Sequence, residues 1–392
     1  MKVLIIHNRY KEKGGEETTV ANEYELLKAN KVDVEVVYFD NNGSQVSQLL
    51  KFLSYPFNLR SYFRIRKIIA QAKPDVVHIH NFFFACSPLA FWALKHKHIP
   101  FVITIQNFRL ICPSYTLFNK GSLYLKSIKK KFSFEPVLDK VYRNSMLLTF
   151  WLYVSNFFHY KIGTWGLTSQ FIFVSKFSKN IFEQSALDKY RAKFSFKPNF
   201  MEAPLPTVKG QEDYFIFIGR LTEEKGIDVL IESCNSYNFK LIIIGDGDMK
   251  GEILKLSNQN DNVTYLGFRD KTDIINYLSK AKALIFPSIW FEGMPLTIIE
   301  SFSVATPVIA SNLGAMSEMI QDHVNGFHFV ANDAIDLISK IKLIQQLDTE
   351  EYNALRDTTK LNFNNTYTAE LNYRFLTDIY QKAIEQNDKK NA

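Results

Sequence analysis

Short runs of β-branched and aromatic residues recur along the chain with helix-length stretches between them, and this rhythm restricts the fold more than any other feature. Strands covered on both faces read as unbroken apolar runs, and parallel strands need helical crossovers to join them. In the first half the runs are Val3–Ile6, Val34–Phe39, Val76–Ile79, Phe101–Ile105 and Phe171–Val174. In the second they are Tyr214–Ile218, Leu241–Ile244, Val263–Leu266, Ala283–Phe286, Pro307–Ala310 and Gly326–Val330. The prediction is an α/β protein built on doubly wound parallel sheets. With 392 residues, 46% of them hydrophobic, the chain exceeds one ordinary core and suits two. Residues Lys197 to Pro206 are proline-rich and aperiodic, so the boundary is expected there. That places a first domain over 1–197, a linker over 198–210, a second domain over 211–365, and a terminal helix with its tail over 366–392.

Charge divides along the same line. Residues 1–200 hold 29 Lys and Arg against 13 Asp and Glu, whereas residues 201–392 hold 18 against 27. A balance of +16 beside one of −9 directs the first half toward something anionic, such as a lipid headgroup or a phosphorylated acceptor. Basic residues with aromatics also suit single-strand nucleic-acid grooves, but no nucleic-acid motif accompanies them. The three cysteines, Cys86, Cys112 and Cys234, form neither a disulfide framework nor a zinc spacing, which points to a reducing, cytoplasmic setting. The opening MKVLIIHNRY is too briefly apolar for a signal peptide and reads as a buried strand.

The most informative stretch runs from Phe286 to Glu300, where a buried strand leads through a turn into a helix, with Pro295 expected at its first position. Its free N–H groups and positive dipole end form an anion site, and Gly293 permits close approach to the backbone. Glu292 stands in the turn and Glu300 on the helix, so the two carboxylates can meet one ligand at different heights. Upstream, Gly219-Arg220-Leu-Thr-Glu-Glu-Lys225-Gly226 puts two cations after the first strand of the second domain, where open α/β sheets bind ligands. Asp246-Gly-Asp248 has the spacing of a metal-binding pair, but it follows a strand as part of a glycine turn and reads as structural.

G-R-L-x-x-x-K-G followed by E-G-M-P-L-x-x-x-E resembles the retaining glycosyltransferase family 4, whose GT-B fold has two Rossmann-like domains facing a central cleft and a C-terminal helix crossing back to the first. Gly14-Gly15, the run Asp75-Val-Val-His-Ile-His80-Asn, the segment Gln106 to Pro113, Lys197-Pro-Asn-Phe and Tyr265-Leu-Gly-Phe-Arg269 resemble further landmarks, notably of the capsule, exopolysaccharide and lipopolysaccharide branch. The resemblance implies transfer of a hexose from a UDP- or GDP-sugar to a lipid-linked or glycan acceptor, with no metal and no other cofactor. Arg220, Lys225 and Glu292 would be catalytic. Gly15, Gly219, Arg269, Gly293, Met294, Pro295, Leu296 and Glu300 would hold the donor, while His80, Gln106, Asn107 and Arg109 would face the acceptor. One departure stands out: Gln106 occupies a position where relatives carry His, and Gln cannot hold a protonic charge. A weakened GT-B scaffold of a polysaccharide-assembly complex and a sugar-nucleotide epimerase are the alternatives.

The segment 119–164 combines the basic run Lys126-Ser-Ile-Lys-Lys-Lys131 with many aromatics. Its longest apolar stretch, Met146–Val154, falls short of the roughly 20 residues that span a bilayer. Two readings stand together: a helix packed on the first sheet, or a peripheral anchor on the anionic inner face of the plasma membrane.

Overall fold

The computed structural model describes residues 1–9, 14–128, 133–202 and 212–391. Residues 129–131 of the basic run and 203–210 of the expected linker fall outside these. Two compact units divide the chain. The first comprises Met1–Leu117, Tyr124–Asn199 and Glu370–Ala392, and the second Phe118–Leu123 and Phe200–Ala369.

In the first unit the strands are β1 (Lys2–Arg9), β2 (Asp33–Asp40), β3 (Val76–Asn81) and β4 (Phe101–Ile105). After a short hairpin, β5 (Phe118–Asn119) and β6 (Ser122–Leu123), come β7 (Gln170–Phe173) and β8 (Phe194–Phe196). The sheet is parallel in the order β2-β1-β3-β4-β7-β8. All five expected runs are strands; β8 is an addition that the sequence did not signal, a three-residue edge too brief to show a period. The helices are α1 (Gly15–Ala29), α2 (Gln45–Leu53), α3 (Leu59–Ala72), α4 (Leu89–Lys95), α5 (Glu135–Leu138), α6 (Met146–Lys161) and α7 (Lys176–Glu183). The hairpin β5–β6 groups with the second unit rather than the first, and a Cβ added at its Gly121 would lie 3.2 Å from Glu223 Oε1.

The second unit repeats the plan with β9 (Phe215–Ile218), β10 (Leu241–Ile244), β11 (Val263–Gly267), β12 (Ala283–Phe286), β13 (Val308–Ser311) and β14 (Gly326–Phe329), in the order β11-β10-β9-β12-β13-β14. Its helices are α8 (Ile227–Ser236), α9 (Lys250–Gln259), α10 (Lys271–Lys280), α11 (Leu296–Ser303), α12 (Gly314–Met319), α13 (Ala334–Gln346) and α14 (Thr349–Thr366). Phe215, Phe217, Ile243 and Ile285 from the strands meet Leu230, Leu337 and Ile341 from the helices in one buried core. Burying such side chains contributes roughly 1.5–3 kcal/mol each.

The last helix, α15 (Ala369–Asn391), returns to the first unit. Leu376, Ile379, Tyr380 and Ala383 join Val3, Ile5, Val20, Val76 and Val102 in its core. The apolar residues Leu371, Phe375 and Tyr380 do not share the inner face of α15, because Phe375 is exposed. Spacings of four and then five residues do not keep one face of a helix, whereas Asn372, Leu376, Tyr380 and Ala383 do.

Candidate active site

In the second sheet the order reverses at β9, whose neighbours β10 and β12 lead away in opposite directions. Ligands of open α/β sheets bind beyond the strand ends at such a switch point. The loops that leave β9 and β12 there are stitched together: Ile289 N–H donates to Glu224 O at 3.0 Å, and Ser288 Oγ lies 3.3 Å from the same oxygen. Gly226 makes this contact possible. Its φ is +73°, and a Cβ on it would stand 1.9 Å from Pro287 O. Gly245, at φ +149°, lets the turn after β10 approach Gly219 in the same way.

This stitching brings Lys225 onto Glu292. Lys225 Nζ and Ser288 Oγ each donate to Glu292 Oε1 at 2.6 Å, and Trp290 Nε1 donates to it at 2.7 Å. Burial pushes the Glu292 carboxyl up, but the Lys225 charge and these three donors outweigh it and hold the group below its usual range. Glu292 is therefore a fixed carboxylate near neutral pH. The Trp290 ring carries both cations, with Lys225 Nζ 5.6 Å and the Arg220 guanidinium 6.0 Å from its centroid. Arg220 is itself half exposed and bridges to Glu224 at 3.2 Å. Ser288, Trp290 and Glu224 were not foreseen; the alternation Ser288-x-Trp290-x-Glu292 was the available signal.

Helix α11 begins at Leu296, one residue later than expected, because Pro295 at φ −69° and ψ 120° is its N-cap. Proline has no side-chain acceptor, so the first-turn N–H groups receive no cap and suit an anion. Gly293, Met294, Pro295 and Leu296 form the approach to that end. Glu300 lies one turn further on, where burial raises its carboxyl despite the opposing Lys271 charge. Arg269 donates to Phe268 O at 3.1 Å, beyond β11. Asp246 accepts from Gly247 N–H at 2.9 Å and pairs with Lys250 at 3.3 Å, so it serves the turn.

The first sheet reverses at β1, between β2 and β3. There His80 Nδ1 lies 3.5 Å from Gln106 Nε2, which brings together two of the residues expected to face the acceptor. Asn107 Nδ2 donates to Glu16 Oε1 at 2.9 Å, next to Gly15 at the start of α1. Arg109 stands over the rings of Tyr115, at 4.7 Å, and Phe83, at 5.1 Å. Gly15, expected to meet the donor, belongs to this unit.

Beneath these residues lies a buried polar network that sequence reasoning did not find. Glu23 Oε1 accepts from Lys197 Nζ at 2.7 Å, while Glu23 Oε2 is 3.2 Å from His80 Nε2 and 3.5 Å from His78 Nδ1. Burial would raise the Glu23 carboxyl, yet Lys197 and the histidines hold it well below its usual range. Lys197 also donates to Asn372 Oδ1 at 3.2 Å, and His78 bonds Tyr380 and Thr104 at 2.7 Å each. Burial and the neighbouring His80 drive the His78 pKa well down, so its ring is neutral. Glu23, His78 and His80 bring ligand atoms within 4.8 Å of one another, as a metal site would. They fit one poorly, since Lys197 already neutralises Glu23 and both His78 nitrogens are engaged. Nearby, both His7 ring nitrogens and the Asn8 amide are buried with no hydrogen-bond partner among the described residues. Such atoms are costly unless a ligand or water meets them.

Two family models match in chain order: Glycosyltransferase Family 4 over residues 13–189 and Glycosyl transferases group 1 over residues 204–361. An uncharacterized glycosyltransferase of Methanocaldococcus jannaschii is 26% identical over 226 residues, 57% of this chain and 62% of that one. The amylovoran biosynthesis glycosyltransferase AmsK of Erwinia amylovora is 28% identical over 42% of this chain and 44% of its own. A UDP-Gal:α-D-GlcNAc-diphosphoundecaprenol α-1,3-galactosyltransferase of Escherichia coli is 27% identical over the same shares, 42% and 44%. The chain thus spans less than two thirds of the length of each of these relatives. A glycosyltransferase from Rickettsia africae has the same fold, with a TM-score of 0.69, 20% identity and coverage of 98% of this chain and 99% of that one. Two Rossmann-like sheets, each with polar groups gathered at its switch point, and two family models matched in order show that the chain belongs to the group 1 glycosyltransferases of family 4, with the GT-B fold.

Proposed function

We propose that the protein is a retaining hexosyltransferase that takes a sugar from a UDP- or GDP-sugar to a lipid-linked glycan in polysaccharide assembly. The observation that carries this reading is the Lys225–Glu292 centre beside the uncapped start of α11. A nucleotide-sugar donor needs cations and N–H groups where its diphosphate gains charge as the glycosidic bond breaks, and Arg220, Lys225 and α11 supply both. The diphosphate would draw the Lys225 ammonium partly away from Glu292, leaving the carboxylate to face the sugar. Glu300, one turn along α11 with its carboxyl pushed up by burial, is placed to bond a ribose hydroxyl. The acceptor hydroxyl would attack C1 on the face the diphosphate leaves, and its proton would pass to the departing phosphate oxygen. His80, backed by Glu23 and adjoining Gln106, would orient that acceptor together with His7 and Asn8, whose buried polar atoms lack hydrogen bonds among the described residues.

Names of relatives support the substrate classes: one takes UDP-Gal to a diphosphoundecaprenol acceptor, and another serves amylovoran biosynthesis. Charge neutralisation by side chains gives no role to a resident metal in this scheme. Titration of UDP-, GDP- and dTDP-sugars in the presence of a chelator tests the scheme directly. One donor should bind, and Arg220→Ala, a surface change, should weaken it by roughly 10- to 100-fold, as loss of a charge-assisted phosphate contact does. Failure of every donor to bind, or equal binding by Arg220→Ala, overturns the assignment. Lys225→Ala is the poorer variant because it strands the buried Glu292.

A further inference from the structure

Helix α6 buries Leu152 and Tyr153 together with several polar side chains and turns other large apolar ones outward. Its buried residues include Thr149, Asn156 and His159, whereas Leu147, Phe150 and Phe158 are exposed, Leu147 at 81%. The polar ones are all engaged: Thr149 with Tyr142, Asn156 with Tyr55 and Arg109, and His159 with Thr164 and Pro56. Helix α2 does likewise. Val46, Leu49, Leu50 and Leu53 fall at the spacing of one helical face, and all four are 48–67% exposed.

These two faces adjoin. Trp151 Nε1 of α6 donates to Phe52 O of α2 at 3.1 Å, and Phe57, which follows α2, packs edge-on to Phe158 at 5.1 Å. Helix α3 then adds exposed Arg60, Phe63 and Lys67 at positions that share one side. No Asp or Glu occurs between Asn41 and Lys73 or between Lys140 and Phe182, while the two stretches carry six and five Lys or Arg. No helix of the described residues is long and apolar enough to cross a membrane.

We propose that the outer faces of α2 and α6, with the start of α3, form a docking surface for an anionic lipid bilayer. Aliphatic and aromatic side chains at helix spacing enter the headgroup–acyl boundary, and the flanking cations meet the headgroups. The alternative occupant, a second copy of the chain, would set base against base across a symmetric contact. Expectation from sequence lay with 119–164 alone. The proposed surface extends to α2 and α3, whereas the hairpin 118–123 groups with the second unit. The proposal supplies a place for the lipid-linked acceptor of the proposed function but does not need that acceptor to be present.

Flotation of the full chain with vesicles of phosphatidylglycerol and phosphatidylethanolamine, against phosphatidylcholine alone, tests it. The wild type should float with the anionic vesicles only and be released by high salt. Leu50→Ser/Leu53→Ser, Leu147→Ser and Arg60→Glu/Lys67→Glu should each lower the partition coefficient, the first by roughly tenfold or more. Nucleotide-sugar binding by the same preparations should stay at the wild-type level, so a failed donor assignment and a failed surface give different results. A wild type that stays at the bottom of the gradient, variants that float equally well, or a dimer that the leucine variants dissociate without any flotation would each overturn the proposal.

Discussion

Individual side chains show how burial sets charge in this protein. His159 is buried with its ring nitrogens on Thr164 Oγ1 and Pro56 O, and desolvation lowers its pKa to about 4. The unfolded chain takes up that proton near the ordinary histidine value, the folded chain only near 4. Stability therefore falls as pH drops through this window, by on the order of 3 kcal/mol at most from this residue. Thermal melting between pH 7 and 4.5 should show the decline, and His159→Gln should shrink it. His78 and His328, whose pKa values burial also lowers, supply the remainder. Glu23 and Glu292 act lower on the scale, because each keeps its proton off until pH falls below the ordinary carboxylate range. Of the candidate site residues, Glu292, Lys225 and Arg220 were legible because glycine and proline punctuate the loops that carry them. Glu23 and Lys197 were not, since 174 positions separate them and only the folded sheet makes them neighbours.

Loops and helix ends carry the next level of organisation. The turn after β9 and the turn after β12 form one body only because Gly226 accepts a left-handed conformation and has no Cβ to strike Pro287 O. Gly226→Ala should cost about 1–3 kcal/mol through strain, and should displace Ser288, Trp290 and Glu292 together. Its measurable signature is a loss of nucleotide-sugar affinity larger than the loss of melting temperature. Gly251→Ala, on α9 where an added Cβ meets nothing within 4 Å, should leave both unchanged or slightly improved. Equal behaviour of the two variants would separate the β9 and β12 turns as independent loops. The strands themselves were readable from apolar runs. The start of α11 was misplaced by one residue, because Pro fits both the N-cap and the first turn.

Across the whole molecule, the chain begins and ends in the same unit. Helix α15 brings Leu376 and Tyr380 into the core of the first sheet and sets Asn372 on Lys197, so residues near the C-terminus help to hold the groups behind His80. Leu376→Ala should cost about 2–5 kcal/mol, whereas the neighbouring, exposed Phe375→Ala should stay within about 0.5 kcal/mol. Urea denaturation of both variants compares them, and equal costs would mean that α15 docks by a different face. Charge is also a property at this scale: part of the +16 of the first half lies on α3, next in the chain to α2, which turns leucine outward.

By itself, the sequence determined the two parallel sheets with most of their strands, the glycine-marked turns, and the loops that carry the candidate cations and carboxylates of the second unit. All of these follow from short-range rules: side-chain period, propensity and the backbone freedom of single residues. Tertiary structure alone decided which face of α2, α6 and α15 turns inward, that Lys225 rests on Glu292, and that Glu23, His78, His80 and Lys197 share one buried network. Those outcomes depend on contacts between residues far apart in the chain, and a side chain's burial is set by what packs over it rather than by its own neighbours in sequence.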